Sequence, residues 1–201
     1  FERFATSKIK SVKDLNAIKT LGFRGEALPS IASIAEVVIK SKYKNEVGHE
    51  YKISYGKKIH FKSSNIENGT SIEIKNIFNN LPARKKFLKS QNYEYRKILS
   101  LFKNFSLYYY GIDMKLINND KIIYNLKSST LLKRIGALYS KKIPSSLIEI
   151  KFNKDNYKIS GFIGNLSLVK QSRGNQFLYI NGRYIKDKLI NMSIYNSYKS
   201  L

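Results

Sequence analysis

The stretch Leu21-Gly22-Phe23-Arg24-Gly25-Glu26-Ala27-Leu28 constrains this chain more than any other. Two glycines bracket an aromatic residue and an arginine. Ala27, Leu28, Ile31 and Ile34 then fall at i, i+1, i+4 and i+7, one face of a helix. A glycine turn that opens straight into a helix leaves the first-turn amides without intrahelical partners, beside the positive end of the helix dipole. That arrangement is a seat for phosphate. Pro29 suits it, since a proline in the first turn removes an N–H that has no partner there. The same local pattern also suits a plain joint between two helices, and both readings stand at this point.

With 201 residues the chain has room for one large domain or two small ones. No apolar run approaches the roughly 20 residues needed to cross a bilayer, so no membrane partner is expected. The absence of cysteine excludes disulfides and thiolate metal sites and fits a reducing, cytoplasmic setting. His49 and His60 are too few for a zinc cluster, and no context supports a Ser–His–Asp triad. Phe1-Glu2-Arg3-Phe4 reads like the interior of a sequence, and the last segment has no stop signal, so a fragment is expected. A net charge of +23 predicts salt-sensitive attraction to polyanions, nucleic acid above all. Abundant Lys, Ile, Asn and Tyr are also the mark of A/T-rich coding, under which many lysines are solvated surface. Arg3, Arg24, Arg84, Arg96, Arg134, Arg173 and Arg183 carry separate weight, because a guanidinium offers phosphate a fixed fork of donors.

Along the chain, Ser11 and Asp14 make a capping-box pattern before a short helix with Leu15 and Ile18 on its buried side. Strands are expected at 37–42, 51–55 and 57–63, the last two turning at Gly56, with His60 facing solvent. A period-two strand at 71–75 points Ile72 and Ile74 inward. Pro82 opens a helix through Leu88, and a longer helix at 93–108 has Ile98, Leu99, Phe102 and Phe105 as its core stripe. The Tyr108-Tyr109-Tyr110 run reads as packing at a helix end. Hairpins are expected around Asn118-Asn119-Asp120 and Asp155-Asn156, with a helix capped by Thr130 between them. Asn181-Gly182 is the strongest tight-turn signal, which leaves Arg183 exposed just past it, and a helix follows over 187–198. Strands and helices mix without regular alternation, so the class is α+β.

Taken in order, Ala5-Thr6-Ser7-Lys8-Ile9, Gly22 to Leu28, Gly69-Thr70, Asn80-Leu81-Pro82-Ala83-Arg84-Lys85-Lys86-Phe87-Leu88 and Tyr179-Ile180-Asn181-Gly182-Arg183 resemble the N-terminal region of the MutL family of DNA mismatch repair proteins. The resemblance covers essentially the whole chain. It implies a partial Bergerat-type (GHKL) ATPase sandwich, with helices on one face of a sheet, over 1–127. The first part of a smaller α+β transducer domain then follows over 128–201. It implies ATP as ligand, with Thr6, Ser7 and Lys8 in the lid and Gly22, Phe23, Arg24, Gly25, Glu26, Ala27 and Leu28 wrapping the triphosphate. Thr70 would supply a hydroxyl on the adenine side. It implies DNA contact by Arg183, extended by Lys186 and Lys188, that grips backbone without reading sequence. Implied partners are a second MutL-type subunit and a mismatch sensor of the MutS type, in a bacterial cytoplasm.

By the same resemblance, the general-base glutamate, the Mg2+-binding asparagine and the adenine-reading aspartate fall before Phe1, and the transducer lysine falls after Leu201. These 201 residues are therefore expected to bind but not turn over ATP. Glu26 at the helix start reads as a dipole or capping residue, and Arg84 as a structural ion pair or backbone contact. Two other readings are open: a non-enzymatic basic DNA-binding scaffold, or another GHKL ATPase such as a topoisomerase subunit. The Asn80 to Leu88 stretch argues against the second.

Overall fold

Residues 2–9, 11, 14, 18, 20–155, 157–168 and 175–199 are described by a computed structural model. The chain divides into two compact units, Phe1–Glu94 and Tyr95–Leu201.

In the first unit, α1 (Ala27–Ile34) passes through extended Ala35 into β1 (Glu36–Lys42), followed by β2 (His49–Ser54), β3 (Lys57–Ser63) and β4 (Gly69–Lys75). The sheet order is β3-β2-β1-β4, antiparallel throughout. Tyr55 and Gly56 both take left-handed φ (47° and 83°), the geometry of the tightest hairpin turns. Ala32 and Ala35 of the helix close on Val37 and Ile53, with Ile31, Ile39 and Tyr51 packed around them. Each large side chain so buried contributes about 1.5–3 kcal/mol. The apolar face therefore lies one step round from the expected stripe. Ala27 and Leu28 stay exposed, because the sheet meets the C-terminal half of α1. That half is pinned by its carbonyls: Ala32, Ile34 and Ala35 accept from the N–H groups of Gly56, Phe78 and Tyr55, and Ser33 accepts from the Asn80 side-chain amide.

Ile72 and Ile74 share the face of Ile39 and Val37 by register but remain 49% and 46% exposed, because α1 packs chiefly on β1 and β2. On the opposite face His60 is not a free strand residue. It meets Glu50 at 2.8 Å, where Lys40 (3.0 Å) and Lys62 (3.5 Å) also converge. His60 first and Lys40 second hold the Glu50 carboxyl at about 2, against an ordinary 4.5. A depressed carboxyl stabilises the fold above its unfolded pKa, and that stability is lost as pH falls through the folded one. Thermal unfolding should therefore lose stability between pH 4.5 and 2, and Glu50→Gln should flatten that slope. An unchanged acid slope would remove Glu50 from the account.

Ser11 and Asp14 form the expected capping pair, with the Ser11 N–H on Asp14 Oδ2 at 2.8 Å, while Leu15 lies outside the described residues. α2 spans only Pro82–Lys85 and stops short of Leu88. Phe87 and Leu88 donate to carbonyls three residues back, and Phe87 is 79% exposed, so no packing extends the helix. The Arg84 side chain is exposed and makes no ion pair among the described residues, contrary to expectation.

The second unit holds most of α3 (Gln91–Tyr108), then β5 (Met114–Asn118), β6 (Lys121–Leu126), α4 (Leu131–Leu138), β7 (Leu147–Lys154), β8 (Tyr157–Gly164), β9 (Leu178–Ile180), β10 (Arg183–Ile185) and α5 (Lys188–Lys199). The six strands form three two-stranded antiparallel sheets, β5-β6, β7-β8 and β9-β10. The β5–β6 turn uses left-handed Asn119 and Asp120, and Asn156 of the next hairpin lies outside the described residues. Leu107, Leu126 and Leu138 form the core, with Phe102, Met114 and Tyr124 against it. α3 buries Ser106 and Leu107 and leaves Ile98 53% exposed, so its stripe too is rotated from the expected one. Tyr108 packs on Tyr109 and Tyr179 (ring centroids 5.0 and 5.3 Å), as expected of a packing run. Thr130 Oγ1 accepts from the Lys133 N–H and caps α4.

Residues 127–129, the expected boundary, lie inside this unit and are tied to 110–113. Ser128 N–H and Lys127 Nζ donate to Asp113, and Ser129 N–H donates to the Tyr110 carbonyl. Fully buried Arg134 completes the knot, its Nη2 reaching the carbonyls of Tyr110 (2.7 Å), Ile112 (2.8 Å) and Lys127 (3.0 Å). Desolvation lowers the Arg134 pKa, and Asp113 works against that shift.

Candidate functional site

The turn before α1 is built around Gly25. Its φ of +66° is left-handed, and a Cβ placed there would lie 2.7 Å from the Ala5 carbonyl carbon and 2.9 Å from the Ala5 nitrogen. Backbone at that distance admits only glycine. The Phe4 N–H donates to the Gly25 carbonyl at 3.2 Å, so the segment leading into Thr6-Ser7-Lys8 is seated directly on the glycine turn. The structure thus joins two motifs that the sequence separates by more than a dozen residues. Thr6 Oγ1 accepts from the Lys8 N–H at 3.1 Å, which folds 6–8 into a turn and leaves the hydroxyl proton available.

Gly22 is open, with nothing within 4 Å of where a Cβ would stand, and its carbonyl accepts from Thr20 Oγ1 at 2.9 Å. Arg24 lies 5.4 Å over the Phe23 ring. Ala27 and Leu28 follow in the first turn of α1. Glu26 occupies the N-cap position with no side-chain cap hydrogen bond, so the capping role expected for it is not realised and only its proximity to the dipole remains. An open glycine, first-turn amides and an arginine on one short stretch can surround an anion with donors.

Thr70 stands on β4 opposite Ser41, the two hydroxyls 2.9 Å apart. Among the described contacts no hydrogen bond links it to the Gly22–Leu28 turn.

In the second unit, Asn181 (φ 47°) and Gly182 (φ 84°) make the tight turn expected between β9 and β10. Packing adds to the preference for glycine, because a Cβ at Gly182 would stand 2.9 Å from the Tyr108 hydroxyl. Tyr179, on the same hairpin, donates to the Asn104 carbonyl at 2.7 Å, and burial raises its phenol pKa. This anchored hairpin carries Arg183 just past its turn, and Lys186 and Lys188 follow it. Asp187 sits between the two lysines and caps α5 through the Ile190 N–H at 2.8 Å, which trims the local positive charge.

Residues 135–201 match the family described as DNA mismatch repair protein, C-terminal domain. The whole chain aligns at 42% identity with DNA mismatch repair protein MutL of Clostridium acetobutylicum and covers 32% of that protein. It aligns at 36% with MutL of Chlorobium phaeobacteroides, again over 100% of the chain and 32% of the relative. These 201 residues are MutL-family sequence. They span about a third of the length of those MutL relatives. Among solved structures, the Aquifex aeolicus MutL ATPase domain complexed with ADP matches at TM-score 0.72 and 25% identity, over 93% of this chain and 71% of that one. The N-terminal domain of a DNA repair protein matches at TM-score 0.75 and 22% identity, covering 91% and 61%, and bears on the fold alone. The α+β expectation and the MutL resemblance therefore hold.

Sequence reasoning missed the seat of Phe4 and Ala5 on Gly25, for which the left-handed glycine was the only legible trace. It missed Arg134 as well, whose one signal was an arginine on the apolar side of a short helix.

Proposed function

We propose that this chain is the phosphate-wrapping and early transducer part of a MutL-type protein that binds and hydrolyses ATP, dimerises on nucleotide and holds DNA by a basic surface. The observation that carries the reading is the glycine turn of 22–25 clasped by Phe4 and Ala5, at the mouth of α1, in a chain similar to a MutL domain complexed with ADP. Gly22 to Leu28 would meet the triphosphate through backbone amides and Arg24. Thr6, Ser7 and Lys8, held against that turn, would act as lid, and Thr70 would lie toward the base.

Mg2+, when bound, neutralises phosphate charge. By the resemblance its asparagine ligand and the general base would fall outside these residues, and turnover would be a property of a protein of full family length. Assignment of 128–201 to a transducer rests on the resemblance and on a family match that begins at Ile135. Arg183, Lys186 and Lys188 would grip DNA phosphates, and a MutS-type sensor would couple mismatch recognition to the nucleotide cycle. No helix among the described residues is long and apolar enough to cross a membrane, and bacterial relatives support a cytoplasmic setting.

In a protein of full family length, ATP should drive dimerisation, read by sedimentation. Arg183→Glu should weaken DNA binding by about 1–3 kcal/mol while nucleotide affinity holds. Salt-sensitive DNA binding indifferent to nucleotide, with no ATP-driven dimer, would point instead to a basic scaffold.

A further inference from the structure

A cleft of about 340 Å³ opens in the second unit between α3 and the residues around Tyr139 and Phe177. Arg96, Leu99 and Lys103 of α3 line one wall at i, i+3 and i+7, a single helix face, and among the described residues no carboxylate lines the cleft. Lys103 Nζ stands 5.0 Å over the Tyr139 ring, which fixes the ammonium at the cleft. Burial pushes the Tyr139 phenol up to about 12, so that ring adds no negative charge beside the lysine at neutral pH. Phe177 packs against Tyr139 (centroids 5.8 Å) and Tyr184 (6.3 Å).

We propose that this cleft seats one nucleotide of single-stranded DNA, its phosphate between Arg96 and Lys103 and its base against Phe177 and Leu99. Two cations flanking an aromatic face, without an acid, suit a phosphate joined to a planar ring, and such stacking is sequence-tolerant. The volume falls in the small-ligand range. Paired bases are stacked inside the duplex and do not reach a cleft of this kind. Phe177 leads into β9, and Tyr184 on β10 touches it, so the hairpin that carries Arg183 at its turn borders the cleft at its other end. A strand gripped at the turn thereby has a second seat that selects for unpaired bases. The proposal takes DNA as partner from the function proposed above and adds a separate site and a strand preference.

The test uses the intact protein and two probes, a thymine oligonucleotide carrying 2-aminopurine and a hairpin duplex. Arg96→Ala with Lys103→Ala should lower single-strand affinity about tenfold or more. Duplex affinity should fall no further than with the charge-matched control, Lys121→Ala with Lys158→Ala, both exposed elsewhere on the unit. Phe177→Leu, which keeps an apolar side chain, should abolish the 2-aminopurine quench with thermal stability checked alongside. Equal losses on both probes, or single-strand loss no larger than the control, would overturn the cleft, as would displacement of neither probe but capture of polyglutamate. If Arg183→Glu is also silent on both probes, the DNA reading itself fails. If Arg183→Glu is active and the cleft variants are not, only the cleft fails.

Discussion

Arg134→Met should destabilise the chain by about 2–4 kcal/mol, the largest stability loss expected from any single side-chain exchange here. The guanidinium is fully buried, and its Nη2 donates to the carbonyls of Tyr110, Ile112 and Lys127 within 3.0 Å. Removing it strands the Ile112 and Lys127 carbonyls at about 1–3 kcal/mol each, while Tyr110 keeps the Ser129 N–H and ending the burial of a cation offsets part of the loss. The offset is real, because Nε and Nη1 are buried without partners and desolvation already lowers the group's pKa. Methionine fills the space without restoring any donor. Arg134→Lys supplies three donors but ends about one bond short of the carbonyls, so an intermediate loss is expected. Urea unfolding measures this: the midpoint should fall in the order Arg, Lys, Met with the slope unchanged. Equal stability of all three would show that the knot at 110–113 and 127–129 forms without the guanidinium.

The elements were legible wherever local chemistry fixes them. Asn181-Gly182, Asn119-Asp120 and Tyr55-Gly56 take left-handed φ for turns that need it, and Thr130 caps the helix it precedes. Which face of an element becomes buried was less legible, because that depends on what the element meets. The apolar residues of α1 allow several stripes, and the sheet chose Ile31, Ala32 and Ala35 over Ala27 and Leu28. Ile72 and Ile74 alternate as a buried strand should, yet α1 packs on β1 and β2 and leaves them half exposed.

The candidate site divides the same way. The turns at Gly25 and at Asn181-Gly182 were readable because a left-handed φ calls for glycine or asparagine there. The contact of Ala5 with Gly25 was not, since it joins segments whose pairing no period or turn encodes. Arg134 was hidden for a related reason: three carbonyl acceptors leave no mark in side-chain identity.

Gly25→Val should abolish the seat between the two proposed nucleotide motifs. A β-branched residue at φ +66° costs at least the roughly 1–2 kcal/mol that any L side chain pays there. Steric overlap costs more still. The new Cβ would stand 2.7 Å from the Ala5 carbonyl carbon, and backbone cannot rotate away as a side chain can. Either the turn changes hand or Phe4 and Ala5 lift, and both break the 3.2 Å bond from the Phe4 N–H to the Gly25 carbonyl. Faster hydrogen exchange at the Phe4 amide should report that loss in the chain itself. In the complete protein nucleotide affinity should fall at least about tenfold, or 1.4 kcal/mol, with bare DNA affinity unchanged. Gly22→Ala is the control: its φ is not left-handed and nothing lies within 4 Å, so its own fold should not suffer. If Gly22→Ala nonetheless lowers nucleotide affinity while Phe4 exchange stays slow, close approach of phosphate to the Gly22 backbone is the cause. If Gly25→Val leaves both exchange and nucleotide affinity untouched, the clasp is not what organises the phosphate seat.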